Sequence, residues 1–71
     1  MRTGIEVQLT YGGPWLPGDL FLAGDGSPVV SIEDEIDTFG PDNVAYIKSD
    51  ETTDEVLLAL ARDAGFNVIV G

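Results

Sequence analysis

Thirteen carboxylates are the only abundant reactive groups in this 71-residue chain, set against three basic side chains and neither His nor Cys, for a net charge of −10. The usual general base, thiol nucleophile and soft metal ligands are therefore missing. Ser27, Ser31 and Ser49 have no imidazole to activate them, and Lys48 stands among acids, the wrong surroundings for a nucleophilic amine. Paired carboxylates could cut a glycosidic bond, but only in a cleft that holds a sugar, which a chain of this length rarely builds. The expectation is a protein without enzymatic activity and without catalytic residues.

Dense carboxylates also attract hard cations. A calcium loop needs oxygen ligands at alternate positions, a central Gly and a closing Glu. Neither Asp25-Gly26-Ser27 nor Asp34-Glu35-Ile36-Asp37 followed by Phe39-Gly40 meets that pattern. Gly24-Asp25-Gly26 has no helix close behind it, and Gly12-Gly13 precedes Pro14, which donates no N–H, so neither pair forms a phosphate cradle. No metal and no cofactor is expected.

Charge excludes two further classes. Arg2, Lys48 and Arg62 are too few to replace the counterions of a nucleic acid, and the net charge repels anionic membranes. The acids are unevenly placed: Glu33, Asp34, Glu35, Asp37, Asp42, Asp50, Glu51, Asp54 and Glu55 all fall in the middle third. A cluster of this kind could imitate a phosphate backbone and occupy the basic surface of a nucleic-acid-binding protein. A second contact candidate is Trp15 with Leu16, flanked by Pro14 and Pro17, which limit the freedom lost on binding. The other role open to Trp15 and Leu16 is a lid over an open sheet end. The expected partner-binding residues are Trp15, Leu16, Glu33, Asp34, Glu35 and Asp37.

These residues need elements to hold them. Ile5, Val7, Leu9 and Tyr11 alternate with Glu6, Gln8 and Thr10, the period of a strand with one wet face. Gly12 to Gly18 reads as a stiff loop, and Leu20–Ala23, the Gly24-Asp25-Gly26 turn and Pro28–Val30 read as a hairpin. Ser31 as a cap, Ile32, Ile36 and Phe39 at helical spacing and Gly40-Pro41 as a stop predict a short acidic helix over 32–39. Val44–Ser49 reads as a central strand covered on both faces. A second helix runs to about Ala64 behind a Thr52/Glu55 capping box, with Val56, Leu57, Leu60, Ala61 and Ala64 inward, and a last strand spans 67–70.

The fold class expected is α+β, a small mixed sheet of four to five strands with two helices and a C-terminal β-α-β unit, in a single compact domain over 1–71. No signal-peptide pattern and no apolar run of membrane-spanning length occur, so a soluble, cytoplasmic protein is expected. The leading functional expectation is an interaction or regulatory module binding a protein partner with a basic surface. The alternative is a self-assembling structural subunit that pairs with copies of itself through a sheet edge at 5–11 or 67–70, a homodimer being one form open to it.

Overall fold

A computed structural model describes residues 2–33 and 37–70. The described residues form a six-stranded mixed sheet: β1 (Arg2–Gln8), β2 (Leu16–Leu22), β3 (Pro28–Ile32), β4 (Thr38–Phe39), β5 (Tyr46–Ser49) and β6 (Val68–Ile69). Strand order is β4-β3-β2-β1-β5-β6, with every pair antiparallel except β5 and β6. One α-helix, α1 (Glu55–Ala64), and a 3₁₀ turn at Pro41–Asn43 complete the described elements.

The expectation of four to five strands and two helices is thus corrected to six strands and one α-helix, within the same mixed α+β class. The difference lies at 32–39. Ser31 is a strand residue paired with Asp19 and Thr38, Ile32 pairs with Gly18, and Phe39 returns alongside Val30. Ile32 and Phe39 share a face because two strands turn back on each other, which imitates helical spacing. Asp34, Glu35 and Ile36 lie outside the described residues. An isolated eight-residue helix is marginal in any case, whereas β4 gains ladder hydrogen bonds to β3.

Side-chain alternation sends Thr3, Ile5 and Val7 of β1 to one face, with Leu20 and Val30 beside them and Ile47 on the other flank. This face meets Leu57, Leu58 and Ala61 of α1 and Phe66 to make the core. The inward stripe of α1 differs from the one expected. Leu57, Leu58 and Ala61 are buried, while Val56 is 61% and Leu60 40% exposed. The helix starts later than the capping box implies: Asp54 is the N-cap, its Oδ1 accepting from the N–H groups of Val56 and Leu57. Thr52 instead sits in a turn built on Asp50. Gly65 caps the C-terminus in the left-handed region.

Thr3 fixes how α1 sits on the sheet. Its buried hydroxyl donates to the Thr52 carbonyl and accepts from the Asp54 N–H, both at 2.6 Å. Thr53 Oγ1 likewise donates to the Gly4 carbonyl at 2.8 Å. A strand near the N-terminus thereby holds the helix N-cap, 51 residues away in sequence.

Pro17-Gly18, expected in a loop, lies inside β2. A Cβ on Gly18 would stand 2.5 Å from the Ser31 carbonyl oxygen and 3.1 Å from Val7 Cγ2. The glycine here serves close approach of strands rather than a turn. No helix among the described residues is long and apolar enough to cross a membrane.

Candidate interaction surface

With α1 on one face, the opposite face of the sheet carries no helix among the described residues. Its strand positions are Arg2 and Glu6 of β1, Asp19 and Phe21 of β2, Val29 of β3, Tyr46 and Lys48 of β5, and Ile69 of β6. Central β5 is therefore covered on one face only: Ile47 is buried while Tyr46 and Lys48 are half-buried. Arg2 Nε is 3.2 Å from Asp19 Oδ2, and its guanidinium lies 4.9 Å from the Phe21 ring centre. Glu6 and Lys48 are directly opposite across the β1–β5 ladder.

The loop from β1 to β2 puts two aromatic rings at one end of this face. Buried Gln8 donates from Nε2 to the Gly13 carbonyl at 2.8 Å, and the Gly13 N–H donates to the Thr10 carbonyl at 2.9 Å. Gly12 takes φ +75°, a backbone conformation that side chains disfavour. The turn so pinned lays Tyr11 edge-on against Tyr46, with ring centres 5.4 Å apart, though Tyr11 remains 75% exposed. Trp15 is 37% exposed, and Lys48 Nζ lies 5.7 Å from its ring centre. Trp15 is thus the partial lid over the sheet end, with a cation–π contact beneath it.

The expected partner-binding residues divide. Leu16 opens β2 on the helix side, opposite Val7, and is half-buried away from Trp15's face. Glu33 and Asp37 are exposed and flank the undescribed 34–36 segment, to which Asp34 and Glu35 belong. The Glu33 N–H donates to the Pro17 carbonyl at 3.1 Å, which brings that turn beside the Trp15 segment. Asp37 precedes Thr38, the partner of Ser31, and so projects from the same end. Asp42 lines an open hollow of about 370 Å³ together with Leu9, Tyr11, Pro41 and Asn67. Tyr11 and Asp42 thus share one hollow, while Glu33 and Asp37 emerge at the same end of the sheet, where Glu33 is beside the Trp15 segment. The sequence reads Tyr11 as strand packing and Asp42 as one of the nine clustered acids, and their proximity depends on the chain returning through β5.

A second open hollow, about 350 Å³, lies where β5 ends and α1 begins and is lined in part by Asp50, Thr53, Glu55 and Arg62. Ligands favour such crevices beyond the carboxyl ends of parallel strands. Here the first helical N–H groups are already taken by Asp54, and two carboxylates face an incoming anion. Asp50 is held below the usual carboxylate range by the Thr52 hydroxyl and then the Thr52 N–H. Asp25 is lowered by the Ser27 N–H and then its hydroxyl. Both are exposed acceptors that shape turns, whereas a general acid needs a carboxyl pushed the other way. Among the described residues no three acids cluster closely enough to hold a metal ion.

Comparison with family models, curated proteins and solved structures gives no match. The reading of this surface rests on its own geometry.

Proposed function

We propose that this chain is a non-enzymatic interaction module whose contact region is the sheet end bearing Trp15 and Tyr11, and whose partner is a protein with a basic surface. The observation that supports the reading is the exposure of two aromatic rings at the sheet end where Glu33 and Asp37 also emerge, with Asp42 lining the hollow beside Tyr11. Arginine and lysine suit such a site: their stems and charges stack on Trp and Tyr while carboxylates accept their hydrogen bonds. Lys48 already occupies one side of Trp15, so a partner's cation exchanges with an internal one. The field of a −10 chain speeds the encounter with a cationic partner and makes it salt-sensitive.

Affinity capture from the native cell tests this with three baits: the wild type, Trp15→Ala, and Glu33→Gln with Asp37→Asn and Asp42→Asn. A specific partner should be lost with either variant and released by salt. A partner retained by both variants would place the contact elsewhere. Competition between that partner's nucleic acid and this chain would identify charge mimicry as the mode of action.

A further inference from the structure

We infer that the outer edge of β6 is a strand-addition site for an extended segment of another protein, one with β-branched side chains and a basic residue at its N-terminal end. Among the described residues no strand pairs with β6 on the side away from β5. Val68 is paired with Ile47, whose N–H donates to the Asn67 carbonyl at 2.8 Å, so Asn67 and Ile69 turn their main-chain groups toward β5. By alternation, Val68 turns its N–H and carbonyl outward. The side chains leave this edge unguarded: Asn67 to Val70 carries no charge and no proline, and Ile69 is 38% and Val70 79% exposed. The other edge, β4, is protected by charge and proline, with Asp37 immediately before it and Pro41 and Asp42 close behind.

Two features select the occupant. Val70 lines the hollow of about 350 Å³ that also holds Asp50, Glu55, Leu58 and Arg62, where two carboxylates outnumber one cation. A segment paired antiparallel to β6, the more stable direction, has its N-terminal residue beside Val70, and a Lys or Arg there reaches these carboxylates. A second copy is the poorer occupant, since it brings its own −10 to a chain that already carries −10. β-branched residues suit the rest of the segment, because they favour extended backbone and pack against Ile69 and Val70. Recognition is then by main-chain pairing, with side chains refining the choice. Its demands differ from those of the Trp15 end, and a peptide of arginine alone, without β-branched side chains, does not meet them.

The probe is a blocked peptide, Lys-Val-Thr-Val-Thr, titrated to about 5 mM into the intact ¹⁵N-labelled chain, since so small a contact gives a dissociation constant of about 1 mM. Shifts should centre on Val68, Ile69 and Val70, and exchange of the Val68 amide proton should slow at saturation. The same peptide N-methylated at two adjacent central residues loses the donor that faces β6 in either register, and should bind at least about fivefold more weakly. Val70→Lys, checked for folding by circular dichroism, places a charge on the edge and should weaken the unmodified peptide by a similar factor. The Trp15 indole signal should not move, which keeps this result separate from the reading of the Trp15 end. Absence of binding, equal binding of the N-methylated peptide, or shifts confined to Tyr11 and Trp15 would overturn the inference. So would protection of Val68 that rises with protein concentration in the absence of peptide, which would assign the edge to a second copy.

Discussion

Replacing Thr3 by Val removes one hydroxyl of nearly unchanged shape and tests whether β1 holds the helix N-terminus. Thr3 is 5% exposed, and its Oγ1 bridges the Thr52 carbonyl and the Asp54 N–H. Thr52 is exposed, so its carbonyl regains water and loses only the net worth of a hydrogen bond, about 1 kcal/mol. The Asp54 N–H is half-buried against the strand and carries a desolvation penalty of about 1–3 kcal/mol when unpaired. Together they give roughly 2–3 kcal/mol, set against a total stability of about 4–10 kcal/mol for a chain this small. In urea, where a small domain has a slope near 1 kcal/mol/M, the midpoint should fall by about 2–3 M. The melting temperature should fall by roughly 10–20 °C. Thr10→Val, on an exposed turn, is the control and should stay within about 0.5 kcal/mol. If Thr3→Val were equally silent, α1 would be held by core packing alone, and the assigned role of Thr3 would be wrong.

Three other perturbations follow from the same geometry. Gly18→Ala places a methyl 2.5 Å from the Ser31 carbonyl oxygen and should cost about 1–3 kcal/mol by denaturation, whereas a loop glycine would tolerate it. Leu57→Ala should cost about 2–5 kcal/mol, while Val56→Lys one position earlier should change stability by less than about 0.5 kcal/mol; equal costs would refute the observed helix orientation. Asp50 has a folded-state pKa below its unfolded value, so its contribution is complete above the unfolded value of about 3.8 and disappears as pH falls through the folded value. Urea midpoints measured down this range should drop more steeply for wild type than for Asp50→Ala, and parallel curves would remove Asp50 from the account.

Local chemistry made part of the fold legible. The Gly24-Asp25-Gly26 turn, the alternation of Ile5 and Val7, and Gly65 behind a helix each act within a few residues, and each stands in the structure as read. Ser31, Ile32 and Phe39 misled because a strand and its return can place apolar groups at helical spacing; only pairing to β2 resolves the ambiguity. Helical spacing puts Val56 and Leu60 on the buried face, but they stand exposed while Leu57, Leu58 and Ala61 meet the sheet, a rotation that only the packing against distant strands decides. Residues 5–11 were a candidate free edge, yet β1 lies between β2 and β5, leaving β4 and β6 as the edges. Among the candidate site residues, Trp15 is legible from its type and its flanking prolines and Glu33 and Asp37 as part of an acidic helix, whereas the structure puts the last two next to strands β3 and β4. The turn away of Leu16 and the arrival of Tyr11 and Asp42 depend on long-range register.

The most direct test of the contact region is a residue-resolved ¹⁵N NMR titration of the intact chain with an arginine-rich peptide, at low and at high salt. Shifts concentrated on Tyr11, Trp15, Glu33, Asp37 and Asp42, and abolished by salt, are the predicted result. Shifts centred on Asp50 to Glu55, or spread evenly over every carboxylate, would contradict it by showing that charge alone, and not the aromatic end of the sheet, selects the partner.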